Sequence, residues 1–305
     1  MTLKIIDPVA VTEANLVGHN IPDPTPEWQA GTTYAAGDVV KVTPARRLYE
    51  SVAGGNLGHA PAETVGTQWI ERGPMSPWRL FDGGPGSVVT RSGQIDVRCA
   101  LTSLLRGVAV INVSASQFRV TIYDGTRVTY DQTIPLIDAS EIVDYVTLFT
   151  TPLTGVDLGI IDSDTADLLG GPGNQVRIRI GADGETVSCG EVIFGDVPQF
   201  GVAVSGLSSE LVDYSQATID PFGNEAIVER GYTFDRDYPV KIANNDGGRA
   251  ERALARLRAR RGLYYVSAAT ANTWGIATYG RLTRLIKTAD ANGWSDLNVT
   301  VEGRL

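Results

Sequence analysis

Closely spaced aspartates are the first candidates for chemistry in this sequence. Asp162, Asp164 and Asp167 lie within six residues of one another, and carboxylates at such spacing can bind calcium or act as an acid and base pair. The EF-hand pattern fails, because its glycine and its closing glutamate are absent. We therefore expect a polar loop between strands here, and simple surface pairing for Asp235 and Asp237.

The common catalytic signatures are missing from the sequence. It has no GxSxG elbow, P-loop, HExxH motif or dinucleotide fingerprint. His19 and His59 lack a third group that would orient a base. No CxxC spacing is present, and two histidines make a zinc site a poor expectation. We expect no enzymatic activity, no cofactor and no metal. Cys99 and Cys189 are expected to be buried free thiols, with a bridge across a sandwich as the alternative.

Aromatic residues are concentrated in residues 27–72, a stretch too short to bury a large core. Trp28, Tyr34, Tyr49 and Trp69 are spaced around a Gly- and Pro-rich loop. A domain of about 40 residues usually needs disulfides, a metal or a host domain. Both cysteines lie outside the stretch, so the aromatic side chains must do the packing. Two Val- and Tyr-containing runs separated by a turn predict a hairpin inside it.

The order of these residues carries a family resemblance. It rests on Trp28, Tyr34, the pair Gly37-Asp38, Val40, Tyr49, Pro61 and Trp69. The pattern resembles the small chitin-binding type-3 carbohydrate-binding modules, which implies aromatics divided between a core and an exposed platform for sugar rings. The segment after Tyr49 departs from the family, because it lacks the adjacent Trp pair of that platform. We expect Trp28, Tyr34 and Trp69 in the core. The candidate sugar-binding residues are Tyr49, His59, Trp28 and Trp69.

Length and charge limit the function classes. The 305 residues are 43% hydrophobic and carry a net charge of −9, which favours two or three domains with substantial cores. A negative protein is a poor general nucleic-acid binder, because phosphate contact needs a cationic field. No run of about 20 apolar residues and no N-terminal basic segment before an apolar run is present, so we expect synthesis in a cytosol and no membrane insertion.

Turn-forming clusters separate strand-like runs through most of the chain, which predicts a mainly β fold. Residues 1–26 are interpreted as an N-terminal arm with a short strand, followed by a Pro-stiffened linker. Residues 27–72 form the small aromatic β module. Residues 73–200 predict a β-sandwich of the jelly-roll or galectin-like kind. Residues 201–305 predict a C-terminal α+β domain with one helix and antiparallel pairing.

The strands of the predicted sandwich alternate with turn signals. The candidates are residues 87–90, 95–101, 108–113, 118–123, 128–135, 143–149, 157–161, 175–180 and 187–194. Residues 175–192 look like the clearest hairpin, because Val176, Ile178 and Ile180 alternate with polar residues ahead of a Gly-containing turn.

One amphipathic segment predicts the helix. Residues 249–261 are rich in helix formers, and Gly262 is a suitable stop. The inward face is predicted to consist of Ala250, Leu254 and Leu257. Six arginines against Glu251 form the other face. The candidate subunit contacts on an acidic neighbour are Arg252, Arg256 and Arg260. Solvated arginines and internal ion pairs are the alternative.

Four segments give the body a second resemblance: PWRLFDG at 77–83, and residues 106–125, 188–195 and 212–242. From Ser76 onward the chain resembles tail proteins of long-tailed bacteriophages, with a C-terminal part similar to the ring-forming domains of distal tail proteins. The resemblance implies a structural role in the virion, at a tail tip or baseplate assembled in the bacterial host cytoplasm. It transfers no catalytic residues.

The same resemblance implies partners. These are other tail and baseplate proteins, further copies of the chain in a ring of three or six, and host surface polysaccharide reached through the aromatic module. Two alternatives remain: a virion-associated polysaccharide hydrolase, which needs two carboxylates facing one groove at about 5–10 Å, and a free carbohydrate-binding lectin, which would be a stable monomer.

Overall fold

The computed structural model describes residues 2–138, 144, 147, 154–204, 206–219, 225–266, 277–289 and 292–304. Strands make up most of them, and the strands that pair with one another run antiparallel. The expected mainly β fold with a sandwich and a C-terminal helix is therefore confirmed.

The strands follow one another at short intervals. Before residue 75 they are β1 (Leu3–Pro8), β2 (Leu16–His19), β3 (Thr33–Tyr34), β4 (Val39–Val42), β5 (Arg47–Ser51), β6 (Asn56–Leu57) and β7 (Trp69–Pro74). The next are β8 (Val89–Ser92), β9 (Ile95–Ala100), β10 (Gly107–Ser114), β11 (Gln117–Asp124), β12 (Arg127–Pro135), β13 (Ile137–Asp138), β14 (Thr154–Gly155), β15 (Leu158–Asp162), β16 (Gln175–Ile180), β17 (Thr186–Asp196) and β18 (Gln199–Phe200).

The C-terminal part has longer strands and the main helix. Its strands are β19 (Val202–Ala203), β20 (Ser208–Asp213), β21 (Gln216–Ile219), β22 (Glu225–Val228), β23 (Tyr232–Ala243), β24 (Arg261–Val266), β25 (Thr278–Ala289) and β26 (Trp294–Gly303). The helical elements are 3₁₀ turns at Thr43–Ala45 and Trp78–Phe81, a four-residue helix at Ser163–Ala166 and the C-terminal helix at Asn244–Leu257.

The sandwich is built from two sheets that share one apolar core. A five-stranded sheet in the order β12-β11-β16-β9-β2 packs on the β15-β10-β17 part of a twelve-stranded sheet. Alternate residues of both sheets, such as Phe118, Ile178, Val110 and Phe194, fill the space between them. The predicted strands agree with the observed ones within a few residues, except for the strand at residues 143–149, which lies almost entirely outside the described residues.

Both cysteines are free and buried in this shared core, as expected. Cys99 comes from the five-stranded sheet and Cys189 from the opposite one. Burial raises the pKa of each thiol to about 12, so both behave as small apolar side chains.

The predicted hairpin at residues 175–192 is wrong. β16 pairs with β11 and β9, whereas β17 pairs with β10, β8 and β1 in the other sheet. The chain changes sheets at Gly181, whose φ of +84° suits glycine. A Cβ there would lie 2.2 Å from Val187. Alternation identifies the buried face of each strand but leaves the partner strand undetermined.

The N-terminal strand is the middle of the large sheet rather than a lead-in arm. β1 pairs with β17 of the sandwich and with β24 of the C-terminal part. Leu3 and Ile5 pack into the C-terminal core, while Ile6 packs on the opposite face. The arm interpretation was wrong because Pro8 suggested an interruption, and here it merely ends the strand.

The C-terminal helix starts earlier and ends earlier than predicted. Its apolar face, Ala250, Leu254 and Leu257, is buried as expected. Gly247 lies inside the first turns, where a Cβ would come within 3.0 Å of the Lys287 side chain. Gly262 is no helix stop: it belongs to β24, where a Cβ would meet the Ile6 carbonyl at 2.9 Å. The antiparallel pairing of the surrounding strands is confirmed.

Candidate functional site

The aromatic module is a small sheet clamped by its own aromatic side chains. β4-β5-β7 form three antiparallel strands, and β3-β6 add a short pair. Trp69 is fully buried, its ring meets Tyr34 edge to face at 5.2 Å, and its Nε1 donates to the His59 carbonyl at 2.9 Å. The predicted hairpin and the predicted core role of Trp69 and Tyr34 are confirmed, so Trp69 offers no surface to a sugar ring.

Tyr49 does not belong to an exposed platform. It is 3% exposed and packs beside Tyr34, Val40 and Trp69 in the module core. Placing it among the sugar contacts was therefore wrong, because a buried ring has no free face for stacking. So short a module has few apolar residues, and it therefore needs the Tyr49 ring in its core.

Two predicted sugar-binding residues keep an accessible surface. Trp28 is half-buried against the module core. His59 is exposed, and its Nδ1 lies 3.0 Å from the buried Asn56 side-chain oxygen. Trp28 thus lies only partly in the core, and among the four predicted sugar-binding residues Trp28 and His59 are the ones with surface left for a ligand.

The predicted aspartate loop is partly a buried ion cluster. Asp162 is 2% exposed, and its Oδ2 lies 2.8 Å from the ammonium of the equally buried Lys4. Tyr265 donates its hydroxyl to the same carboxylate at 2.7 Å, and Asp164 also reaches Lys4 at 2.8 Å. These groups come from β1, β15, the short helix at Ser163–Ala166 and β24, so the cluster connects distant parts of the chain instead of lying in a free loop.

Asp235 and Asp237 do not pair with the arginine between them. Asp235 accepts a hydrogen bond from the Gly303 N–H, and Asp237 accepts one from the Thr300 hydroxyl. Both carboxylates thereby attach β23 to its neighbour β26.

A carboxyl pair that sequence reasoning missed lies in a crevice of about 600 Å³. Glu191 is 3% exposed, and burial raises its pKa to about 9, with a further contribution from Asp82. Burial also raises the pKa of Asp82. The Gly83 N–H donates to Glu191 at 2.9 Å and the Gly84 N–H to Asp82 at 2.7 Å. With a pKa of about 9, Glu191 is protonated at neutral pH.

The chemistry of this pair is that of a structural clasp. Each carboxyl group accepts a hydrogen bond from the backbone that follows the Trp78–Phe81 turn, so Glu191 attaches this segment to β17. Glu191 stands in an apolar strand, and only its charge among neighbours such as Val192 and Ile193 marks it in the sequence.

An exposed β hairpin carries a group of large apolar side chains. β20 pairs with the start of β23, and β21 pairs with β22 beyond it. We call residues 208–235 the β arm. Its large apolar side chains are 41–67% exposed: Leu211, Tyr214, Ile227, Val228, Tyr232 and Phe234. Exposed apolar residues clustered on one element mark an interaction surface.

The arginine-rich side of the C-terminal helix is solvent-facing. Arg252 and Arg256 are exposed, and no ion pair joins either one to the parts of the chain that the structure describes. Arg260 lies beyond the helix end and approaches Asp7 at 3.8 Å. Glu251 pairs with Lys287 instead of with an arginine.

The described residues contain no cluster of three or more His, Cys, Asp or Glu side chains that could hold a metal ion. None of their helices is long and apolar enough to cross a membrane. No protein-family model, curated protein or solved structure matches the chain.

Proposed function

We propose that this chain is a structural component of a bacteriophage tail tip or baseplate, assembled as a ring of three or six copies with other tail proteins. The observation that supports the proposal is the β arm, whose large apolar side chains are not covered by the residues that the structure describes. A subunit of a closed assembly needs such a surface, and it needs no active site. Virion attachment to host surface glycans would then gain from repeated weak contacts.

Charge complementarity selects the surface that the arm would meet. The β arm, residues 208–235, contains six acidic residues against one arginine, whereas residues 249–261 contain six arginines against one glutamate. The two segments are comparable in charge and opposite in sign. Contact between the arm of one copy and the C-terminal helix of the next is a head-to-tail interface, which closes into a ring when the rotation allows.

A charge exchange tests this contact. Arg252→Glu/Arg256→Glu and Glu225→Arg/Glu229→Arg should each abolish the ring in native mass spectrometry and sedimentation, because each places like charges at the interface. The two pairs combined should restore it. Arg72→Glu/Arg127→Glu, which changes as much charge elsewhere, should leave the ring intact. Failure of the combined variant to assemble would refute the arm-to-helix contact.

The virion role has its own test. Particles produced without this protein should have missing or malformed tail tips in electron micrographs, and normal infectious tails would refute the role. The hydrolase alternative predicts reducing-sugar release from host polysaccharide or chitin that Asp82→Asn or Glu191→Gln abolishes. The free-lectin alternative predicts a monomer at high concentration.

A further inference from the structure

The outward face of the five-stranded sheet is rich in arginine. Its charged residues between the strand ends are Arg98, Arg119, Arg177, Arg179, Asp96 and Asp131, and Thr121 and Tyr123 lie among them. We call these eight residues the arginine face. Four positive charges against two negative ones make it cationic, although the chain as a whole carries a net charge of −9.

The register places like charges opposite each other. Arg119 faces Arg179 across β11 and β16, and Arg98 faces Arg177 across β9 and β16. Directly opposed like charges destabilise a sheet. Two such pairs side by side need negative charge nearby to offset the repulsion.

Two of the four arginines are neutralised within the protein. The Arg177 Nε lies 2.9 and 3.0 Å from the two carboxylate oxygens of Asp96. The Arg119 Nε lies 2.6 Å from Asp131, with a second contact through its terminal nitrogen. Both contacts are diagonal across neighbouring strands and use two nitrogens of the guanidinium, the geometry that arginine prefers with carboxylates.

The other two arginines have no carboxylate partner among the described residues. The Arg98 guanidinium lies over the Tyr123 ring at 5.2 Å. The closest polar contact of Arg179 is the Thr121 hydroxyl at 3.5 Å, and its Nε is shielded from water without a hydrogen-bond acceptor. A shielded N–H without an acceptor is unfavourable, and an anion beside this guanidinium would improve its hydrogen bonding.

A trough leads to this face. Arg98, Arg177 and Asp96 line a depression of about 240 Å³ together with His19 on the edge strand β2. His19 and its neighbours also line a crevice of about 550 Å³ that reaches Trp78 beside the aromatic module. The two depressions share Val17, Gly18 and His19 as lining residues, so they adjoin each other along β2, an arrangement that suits a chain of sugars better than a single small anion.

We propose that the arginine face and this trough bind an acidic polysaccharide. Arg98 and Arg179 would bind its carboxylates, while Asp96 and Asp131 accept hydrogen bonds from sugar hydroxyls. The alternation of positive groups with carboxylates favours a ligand that has both anions and hydroxyl donors. A nucleic acid is denser in charge and offers fewer hydroxyl donors, so the two aspartates and the acidic chain would oppose it.

The arginine face lies on a different sheet from the β arm, so polysaccharide binding and ring assembly can be tested independently. The proposal rests on the proposed function only in taking a bacterial surface as the source of the polysaccharide. The binding is tested with the purified full-length chain, whose state of assembly is followed by sedimentation alongside every measurement.

The experiment measures binding to immobilised polygalacturonate, with dextran as a neutral polymer and duplex DNA as a dense polyanion, at two salt concentrations. Wild-type protein should bind polygalacturonate, bind dextran much more weakly, and lose affinity as salt rises. Arg98→Gln and Arg179→Gln should each weaken binding about tenfold, because each removes a charge-assisted contact. Arg98→Lys should lose less affinity than Arg98→Gln, since lysine keeps the positive charge.

The control is Arg284→Gln/Arg304→Gln, which removes two exposed arginines from the C-terminal sheet and should bind like wild type. The melting temperature of Arg98→Gln should be unchanged or raised, because a repulsive pair is removed. Equal loss in the control pair, tighter binding to DNA than to polygalacturonate, or no preference over dextran would overturn the proposal.

Discussion

An exposed glutamate is ionised at neutral pH, whereas Glu191 is protonated in the folded protein. The β17 strand buries it, and burial together with the nearby Asp82 raises its pKa to about 9. One of its carboxyl oxygens accepts a hydrogen bond from the Gly83 N–H. The acid works as a hydrogen-bonding group in a crevice with Arg261 and Tyr279 rather than as a surface charge. Such a group makes the stability of the fold depend on pH.

Replacing Glu191 by Gln should stabilise the protein at alkaline pH. The folded pKa of about 9 lies above the ordinary value of 4.5, so between these values the folded state holds more protons than the unfolded state. The free energy of unfolding then falls as pH rises from about 4.5 to 9. Glutamine imitates the protonated acid at every pH, so thermal melts should show a variant advantage that grows from pH 5 to pH 9.

A surface glutamate provides the comparison for this measurement. Glu210 lies exposed on the β arm. The melting temperature of Glu210→Gln should differ from that of wild type by the same small amount at pH 5 and pH 9. If the melting temperature of Glu191→Gln falls further below that of wild type at pH 9 than at pH 5, the raised pKa of Glu191 is ruled out.

Single residues were also where sequence reasoning failed most. Tyr49 and Trp69 belong to the same pattern, and nothing in it says that both rings turn inward. Asp162 looked like a loop residue, because its partner Lys4 stands 158 positions away. Contacts between distant residues leave no trace in local spacing, whereas burial of alternate apolar residues does.

At the scale of strands and helices the sequence was a better guide. Alternation located most sandwich strands, and the i, i+4, i+7 spacing located the inward face of the C-terminal helix. The same alternation places arginines on the outward side of β9, β11 and β16. Their convergence depends on which strands pair, and the hairpin predicted at residues 175–192 shows that pairing was not determined by the pattern.

The aromatic module should be removable without unfolding the body. Its apolar core is separate from the sandwich core. Its two ends lie together, because the Ser76 N–H donates to Asp23 at 3.1 Å. The Arg46 contact with the Trp78 ring is lost, and such a contact contributes about 0.5–1 kcal/mol at exposed sites. Replacing residues 27–72 by a short Gly/Ser linker should leave the main calorimetric transition nearly unchanged.

Within the intact chain, Tyr49→Ala should unfold the module alone. Loss of a large buried ring costs about 3–5 kcal/mol, comparable to the whole stability of so small a unit. Tryptophan fluorescence and calorimetry should show loss of the module transition with the body transition retained. A Tyr49→Ala protein with a normal module transition would mean that this ring is not part of the core.

At the scale of the whole molecule, β1 connects the sandwich and the C-terminal part, which the sequence pattern predicts to be separate domains. The predicted domain boundary lies near residue 200, between the strand-rich segment and the segment that contains the helix. The N-terminal strand nevertheless lies between β17 on one side and β24 on the other. The Lys4, Asp162 and Tyr265 cluster adds a buried polar connection across the same region. Removing one member of a buried ion pair is strongly destabilising, so the cluster opposes independent opening of either part.

The sandwich and the C-terminal part should therefore unfold together. Ile178→Ala removes apolar volume from the sandwich core and Leu254→Ala from the C-terminal core, each at about 2–5 kcal/mol. Calorimetry should show both substitutions lowering one shared transition, while Val128→Ala, on the exposed surface of β12, leaves it in place. A second transition that appears with Ile178→Ala, at an unchanged melting temperature for the C-terminal part, would mean that strand pairing through β1 is too weak to couple them. A single shifted transition would identify the N-terminal strand as the element that makes these two parts one folding unit.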